Sequence, residues 1–345
     1  MTLPATDLGQ TLALFFLSAL IVWIAGARLA YLADALSDRL NLAKSIVGLV
    51  FLSTATSLPE IATTLTAAVQ SARDLVVNNL FGGIALQTAI LAMSDFWARG
   101  AITNYPRKAN HALEATLLVL MLGLAIIVIT IGEPVAFGRV GLGSLIIGLV
   151  YIGALWLLRT YDDASDWVPV DLPDPDPLPF PAPTGLRDAP TRSLIAQAVL
   201  ACIAILLFGV LLVTSAERIA EQTGLGAGFI GVTLLAAATS LPELTTSITA
   251  VRMGAYTLAI SNIFGSNLIM LVLVLPADLL FRDGPLLRET APIAIASLGF
   301  AILVTAVFLT GLLIRRKPRI GQVGLDSVLV LITFAASLLI YYQLR

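Results

Sequence analysis

Ten long apolar runs constrain the fold of this 345-residue sequence more than any other feature. They lie at about residues 9–33, 44–70, 74–97, 111–131, 139–158, 194–220, 227–252, 256–281, 289–314 and 322–343. Each run has roughly the 20 residues that a helix needs to cross the hydrocarbon core of a bilayer. Only 12% of the residues are charged, against about 25% in soluble proteins, so the surface must largely face lipid. The sequence therefore predicts an all-α membrane protein with ten transmembrane helices.

The remaining composition argues against several classes of function. The net charge of −2 gives no basis for binding nucleic acid, and no phosphate-cradling glycine loop indicates a nucleotide. A single cysteine, Cys202, rules out a disulfide framework, and a single histidine, His111, disfavours a zinc site or a histidine-based catalytic triad. We therefore expect neither an enzyme nor a cofactor. The expected partners are inorganic cations and the lipid bilayer, and the oligomeric state stays open.

One long polar break divides the chain. It contains the stretch Asp171-Leu-Pro-Asp-Pro-Asp-Pro-Leu-Pro-Phe-Pro-Ala-Pro183, which is too rich in proline for a helix and favours an extended, semi-rigid tether. A regulatory docking segment is the alternative interpretation. The predicted organisation is a five-helix repeat over residues 1–158, a cytoplasmic linker over 159–193 and a second five-helix repeat over 194–345.

The two halves repeat each other in sequence. A shift of 183 residues aligns residues 54–83 with 237–266, and 14 of these 30 positions are identical without a gap. Because each half holds an odd number of spans, the second half is expected to enter the membrane upside down relative to the first. Inverted repeats are an architecture of secondary transporters, in which the binding site lies near the bilayer midplane where the halves meet.

The distribution of basic residues predicts the orientation in the membrane. With the N-terminus outside, 14 of the 20 Lys and Arg residues fall on the inner side and 6 on the outer side. Cytoplasmic loops carry such an excess of basic residues. We therefore expect an integral protein of the cell (inner) membrane with both termini outside.

Each repeat carries one glutamate near the middle of an apolar run, Glu60 in the first and Glu243 in the second. A charged carboxylate is costly at the bilayer centre, so equivalent glutamates in inverted repeats predict a shared functional centre. A protonated, purely structural glutamate is the alternative. Pro59 and Pro242 precede the glutamates and remove a helix hydrogen bond. The backbone carbonyls freed in this way are ligands for hard cations.

Further polar side chains share helical faces with the two glutamates or form a stripe on the following span. Residues spaced by three or four positions meet on one face of a helix, and this spacing selects Thr56, Thr239, Asn79, Gln87, Asn262 and Ser266. A ligand set built from oxygen suits Ca²⁺, Na⁺ or Mg²⁺, and nothing soft is present for copper or zinc. Two carboxylates in a flexible set favour Ca²⁺ over Mg²⁺, which resists dehydration.

Two pairs of motifs give the sequence a specific resemblance. One pair is Thr56-Ser-Leu-Pro-Glu60 and Thr239-Ser-Leu-Pro-Glu243, and the other is Asn79-Leu-Phe-Gly-Gly83 and Asn262-Ile-Phe-Gly-Ser-Asn267. With these motifs the chain resembles, over nearly its whole length, the Ca²⁺/cation antiporter superfamily of the sodium/calcium exchanger type.

The resemblance implies an antiporter that works by alternating access. It further implies that Glu60 and Glu243 hold Ca²⁺ together with the backbone of two threonines, Thr56 and Thr239. By the same resemblance, three serines help to form flanking sodium sites: Ser57, Ser240 and Ser266.

The chain departs from the family in the second motif, which usually reads Gly-Ser-Asn followed three residues later by Asn or Asp. The first repeat has Gly83 and Ile84 in place of the serine and asparagine and ends in Gln87. The second repeat ends in Met270, whose thioether is a poor ligand for a hard cation. Two carboxylates neutralise one Ca²⁺, two Na⁺ or two H⁺, and a third Na⁺ would leave uncompensated charge in a site of low dielectric constant. We therefore hypothesise that the protein carries fewer sodium ions per cycle than a typical exchanger, or uses protons.

Exchange of Ca²⁺ for Na⁺ is the function that the sequence favours. A proton-coupled Ca²⁺/H⁺ antiporter on the same fold is the main alternative, because buried carboxylates can carry protons. A cation channel is less favoured, since channels often build a continuous pore from oligomer symmetry, whereas inverted repeats within one chain are typical of carriers.

Overall fold

The computed structural model describes residues 7–98, 100–106, 109–163, 186, 189–223, 237–314, 318–321 and 323–343. Most of the predicted linker, 159–193, lies outside these ranges. Residues 227–236 of the predicted run 227–252 lie outside them as well.

The described residues are mostly helical. The α-helices are α1 (Leu8–Leu40), α2 (Lys44–Ile46), α3 (Ser53–Thr56), α4 (Leu58–Val69), α5 (Arg73–Ser94), α6 (Asn110–Ile131), α7 (Leu142–Asp163), α8 (Thr191–Gln222), α9 (Leu241–Arg252), α10 (Tyr256–Val272), α11 (Val274–Leu280), α12 (Pro292–Leu313) and α13 (Leu325–Gln343). A π-helix joins α2 to α3 (Val47–Leu52), and 3₁₀ turns follow α5 (Asp95–Trp97) and precede α6 (Ile102–Asn104). Two short antiparallel hairpins connect the last two helices of each half: β1 (Ala136–Phe137) with β2 (Val140–Gly141), and β3 (Arg319–Ile320) with β4 (Val323–Gly324).

Eight helical segments are long and apolar enough to cross a membrane. They are Leu8–Leu40, Arg73–Trp97, Asn110–Ile131, Leu142–Tyr161, Thr191–Leu212, Tyr256–Leu280, Pro292–Leu313 and Leu325–Gln343. Each coincides with one of the ten predicted runs. The described residues therefore do not confirm the predicted count of ten transmembrane helices, because the two runs that carry the glutamates do not form single long helices there.

Proline breaks both of these runs at the same point. In the first run the helix stops at Ser57, whose φ of −80° and ψ of 6° are not helical, and α4 starts at the next residue. In the second run Ser240 has nearly the same angles, −84° and 6°, and α9 starts immediately after it. Pro59 and Pro242 occupy the first turn of the new helices, where a missing N–H costs nothing. A hydropathy count cannot detect such a break, since most of the residues around it are apolar or small.

The first helix of each half packs against the motif helix of the other half. α1 lies along α8, and it also contacts α9, while α8 contacts α4. Equivalent glycines allow the close approach. A side chain at Gly26 of α1 would meet Thr245, and a Cβ at Gly209 of α8 would lie 2.5 Å from Cγ of Pro59. The contact of α1 with α9 is therefore repeated by the contact of α8 with α4.

A pair of buried aspartates also links the halves. Asp95, after α5, accepts hydrogen bonds from the backbone N–H groups of Ile102 (2.8 Å) and Gly324 (2.8 Å). Asp278, in α11, accepts them from Leu286 (2.7 Å) and Gly141 (2.8 Å). Gly324 belongs to the hairpin of the second half and Gly141 to the hairpin of the first half. Each aspartate therefore binds the hairpin of the opposite half.

Candidate cation-binding site

Both motif glutamates lie in the first turn of a helix that starts in the middle of the protein. Glu60 is in the first turn of α4 and Glu243 in the first turn of α9. Both side chains are completely buried, and the two carboxylates are close enough for their charges to interact. The helix breaks thus bring two carboxyl groups, one from each half, into a common interior region.

Glu243 receives hydrogen bonds from both halves of the chain. Its Oε1 accepts a hydrogen bond from Oγ of Ser57 (3.1 Å) and from Oγ of Ser266 (3.4 Å), and the two hydroxyls are 3.0 Å apart. Thr56 also lies beside this carboxylate. Three of the predicted site residues are therefore in direct contact.

Several buried polar atoms at the two helix breaks and on α5 have no hydrogen-bond partner among the described residues. In that part of the chain, no other residue is hydrogen-bonded to either oxygen of Glu60, to Oε2 of Glu243 or to Oγ of Ser240. Gln87, on α5, is completely buried, and within the described ranges both polar atoms of its amide are unpaired. Burying polar groups in this way costs free energy unless another group pairs with them. Three unpaired carboxylate oxygens, with the Ser240 hydroxyl at the second break, are the chemistry of a cation site.

The mirror position of the Ser57–Ser266–Glu243 cluster is different. By the repeat, its members are Ser240, Gly83 and Glu60. Gly83 has no hydroxyl, and the space beside it is filled by Met270, since a Cβ on Gly83 would lie 2.7 Å from Cε of that residue. The two flanks of the site are therefore chemically unequal.

The two predicted asparagines connect each motif helix to the helix that follows it. Nδ2 of Asn79 donates to Oγ1 of Thr64 (3.1 Å), and Nδ2 of Asn262 donates to Oγ1 of Thr246 (3.1 Å). Oδ1 of Asn262 is buried and has no partner within the described ranges, whereas Asn79 is partly exposed. Thr239, which precedes the second break, is buried.

Sequence reasoning missed a second buried polar cluster, between α6 and α10. Nδ1 of His111 lies 2.8 Å from Oε2 of Glu114, and Oγ of Ser261 donates to Oε1 of Glu114 (2.7 Å). All three side chains are buried. Ser261 directly precedes Asn262 in α10, so this cluster anchors a helix of the candidate site. The sequence signal that could have revealed this cluster is Glu114, a carboxylate inside the apolar run 111–131.

Fold and site together define a class: helical membrane proteins with a buried polar site between two related halves. The sequence model of the family described as sodium/calcium exchanger protein matches this chain at residues 10–160 and 193–343. The chain belongs to this family, and it is an integral membrane protein.

Individual relatives agree with the family assignment. The chain is 27% identical over 314 residues to the inner membrane protein YrbG of Escherichia coli (strain K12), covering 90% of each chain. It is 29% identical over 328 residues to CaxA of Alkalimonas amylolytica, covering 91% of this chain and 93% of the relative. It is 28% identical over 130 residues to human sodium/potassium/calcium exchanger 2, covering 38% of this chain and 19% of that protein.

The fold is shared with a solved exchanger structure. The sodium-calcium exchanger NCX_Mj, soaked with 2.5 mM Na⁺ and 10 mM Sr²⁺, superposes with a TM-score of 0.71 at 17% sequence identity. The match covers 96% of this chain and 99% of that chain. At this identity the similarity concerns the fold alone.

Proposed function

We propose that this chain is a secondary active antiporter that exchanges Ca²⁺ for Na⁺ at a single central site. The observation that carries the proposal is the pair of completely buried carboxylates, Glu60 and Glu243, with unpaired oxygens. The two glutamates directly follow equivalent helix breaks in the two halves. The names of the exchangers to which the chain is similar, which include sodium and calcium, support the same choice of ions.

Charge balance explains why such a site would exchange ions rather than leak them. Two buried carboxylates without a cation leave two negative charges in a medium of low dielectric constant, which is costly. One Ca²⁺ or two Na⁺ would neutralise them. A neutral, occupied site can be sealed from water and reopened on the other side, while an empty, charged site resists closure. Ca²⁺ and the counter-ion would therefore compete for Glu60 and Glu243.

The ligands proposed for the cations are oxygens of the residues around the two breaks. Glu60 and Glu243 would hold Ca²⁺ with the backbone of Thr56 and Thr239. Sodium would use the hydroxyls and amides nearby, for which we propose Ser57, Ser240, Ser266, Gln87, Asn79 and Asn262. Oxygen ligands of this kind suit hard cations.

We further propose that the exchange is electroneutral. A third Na⁺ would need a third negative charge or a further set of hydroxyl ligands. The flank formed by Gly83 and Met270 offers neither, since Gly83 lacks a hydroxyl and the Met270 thioether is a poor ligand for a hard cation. The transport rate should then be independent of membrane voltage when the potential is clamped with K⁺ and valinomycin. A current that reverses with the calcium gradient would contradict this part of the proposal.

Proton coupling is the second candidate. The same two carboxylates could carry two H⁺ in place of two Na⁺, and the fewer hydroxyls on the Gly83 flank favour this alternative. The fold is compatible with either counter-ion, so the distinction needs transport data.

Alternating access on this fold would use ten crossings. In this scheme the two broken runs also cross the membrane, and the halves are inverted repeats joined by the proline-rich linker over 159–193. The candidate moving elements are α1 and α8, which contact the motif helices of the opposite halves. Both termini would lie outside.

Uptake of ⁴⁵Ca²⁺ into proteoliposomes tests the proposal. The vesicles carry an outward sodium gradient, an outward proton gradient or no gradient. We expect sodium-driven uptake that is lost in Glu60→Gln and in Glu243→Gln. Asp283→Asn is the matched control, because Asp283 is an exposed carboxylate far from both breaks in sequence.

Each outcome separates the alternatives. Uptake driven only by protons would favour the second candidate. Uptake that needs no ion on the opposite side and does not saturate would indicate a channel. Absence of Ca²⁺ flux under every gradient would contradict the proposed substrate.

A further inference from the structure

A groove between α1 and α8 opens on the lipid-facing side of the molecule. It encloses about 360 Å³, within the rough range of 300–1,000 Å³ for small-molecule sites. Small side chains leave this space: Ala25 on α1, and Ala201 and Ala204 on α8. Ile24 and Leu200 flank it with more than half of their surfaces exposed, 59% and 67%. The walls of the groove are therefore apolar and accessible to acyl chains.

The positively charged side chain of Arg28 lies at one end of this apolar groove. Nη2 of Arg28 donates to Oε1 of Gln197 (2.5 Å), and Nε2 of Gln197 donates to Oγ of Ser193 (3.2 Å). Within the described part of the chain, Arg28 has this neutral amide as its partner and no carboxylate. A guanidinium has five N–H donors, so most of them are left for another acceptor. In the described ranges, its charge also lacks a balancing anion.

Arg28 sits where lipid headgroups are expected. The exposed apolar side chains of α1 between Phe16 and Ile24 end just before it. On the antiparallel helix α8, the exposed apolar side chains between Val199 and Leu207 lie on the same side of the Arg28–Gln197 contact. Arginines at the edge of an apolar band place their charge at the membrane interface.

We propose that the α1–α8 groove binds one anionic phospholipid. An acyl chain would lie against Ala25, Ala201 and Ala204, and the headgroup phosphate would accept hydrogen bonds from Arg28. The planar guanidinium matches a phosphate with two parallel hydrogen bonds. A net negative headgroup is favoured over a zwitterionic one because no carboxylate of the described residues neutralises Arg28. This site is separate from Glu60 and Glu243 and does not depend on which ions are transported.

Native mass spectrometry of the full-length protein in detergent tests the proposal. The probes are phosphatidylglycerol and phosphatidylcholine with identical acyl chains. The unchanged protein should retain one phosphatidylglycerol in preference to phosphatidylcholine. Arg28→Gln should weaken phosphatidylglycerol binding about fivefold, to the level of phosphatidylcholine, and Arg28→Lys should keep the preference. Arg159→Gln is the matched control, since Arg159 is an exposed arginine near the end of α7, on the same side of the membrane by helix order.

A second variant tests the apolar part of the groove without touching the charge. Ala204→Leu narrows the groove and should weaken the binding of both lipids while Arg28 stays in place. The proposal is overturned if Arg28→Gln keeps its preference for phosphatidylglycerol, if Arg159→Gln loses it equally, or if Ala204→Leu binds both lipids normally. If Arg28→Gln does not fold, the lipid binding of Arg28→Lys and Ala204→Leu tests the proposal instead.

Discussion

The two buried glutamates carry the same motif and occupy the same turn of their helices, yet their surroundings differ. Glu243 is hydrogen-bonded by Ser57 and Ser266, while Glu60 has no such partners in the part of the chain that the structure describes. Glycine at position 83, where the second repeat has Ser266, accounts for one of the two hydrogen bonds that Glu60 does not receive. The repeat in the sequence could therefore predict which residues are equivalent, but it could not predict that Met270 fills the vacant space.

The cluster of His111, Glu114 and Ser261 is expected to stabilise the packing of α6 on α10. Glu114→Gln removes the acceptor of one of its two hydrogen bonds and should lower the free energy of unfolding by about 1–3 kcal/mol. Thermal unfolding of the purified protein measures the effect as a lower Tm. Thr116→Ala is the control, because Thr116 is exposed on the same helix. A Tm for Glu114→Gln equal to that of the control would contradict the stabilising role.

At the scale of single elements, the helix breaks are the feature that apolar runs could not predict. The proline in each motif was visible in the sequence, and it correctly indicated disturbed backbone near Thr56. The extent of the break depends on tertiary contacts, including α10 packed against α3 and the π-helix. Such contacts leave no local pattern in the sequence.

The glycine at position 209 should be needed for movement of α8 over the motif helix α4. A Cβ there would be 2.5 Å from Cγ of Pro59, whose ring is stiff. Gly209→Ala is therefore expected to reduce the transport rate about tenfold, from a packing cost of roughly 1–3 kcal/mol, with little change in Ca²⁺ affinity. Gly153→Ala in α7 is the control, since a Cβ at Gly153 meets nothing within 4 Å. An equal loss in both variants, or a normal rate in Gly209→Ala, would contradict the sliding contact.

The first hairpin should make stability depend on pH through Glu133. Burial raises the pKa of the Glu133 carboxyl above its ordinary value of 4.5, and the nearby charge of Asp278 raises the pKa further. The folded state thus holds this proton to higher pH than the unfolded chain does. The resulting stabilisation is complete below pH 4.5 and is lost as the pH rises through the raised pKa.

Glu133→Gln should remove this dependence. Between pH 5 and pH 8 the Tm of the variant is expected to fall less than the Tm of the unchanged protein. Differential scanning fluorimetry in detergent provides the measurement, with Asp283→Asn as the control. If the Tm of all three proteins changes with pH in the same way, Glu133 makes no contribution to the pH dependence.

At the scale of the whole molecule, the sequence predicted the family and the eight continuous spans well, because both follow from long local patterns. It could not predict how the halves are fastened together. Asp95 and Asp278 were recognisable as equivalent residues, but their partners are backbone N–H groups in the opposite half. A backbone group has no signature in the sequence, so a contact of this kind becomes visible only in the folded structure.

The proposed inverted arrangement of the two halves predicts that equivalent loops face opposite sides of the membrane. Gln70, after α4, and Arg252, at the end of α9, are both exposed and lie one position apart in the repeat alignment. On a Cys202→Ala background, Gln70→Cys should react with a membrane-impermeant maleimide from outside intact cells, and Arg252→Cys should react only after the membrane is opened. Labelling of both positions from the same side would contradict ten crossings with inverted halves.

The central claim is that one carboxylate from each half forms a single shared cation site, and direct binding tests it most closely. Isothermal titration calorimetry of the purified protein in sodium-free buffer should give one Ca²⁺ per chain. Binding should be lost in Glu60→Gln and in Glu243→Gln alike, persist in Asp283→Asn, and weaken as Na⁺ is added. Two Ca²⁺ per chain, or an unchanged affinity in either glutamine variant, would show that the two glutamates do not share one ion.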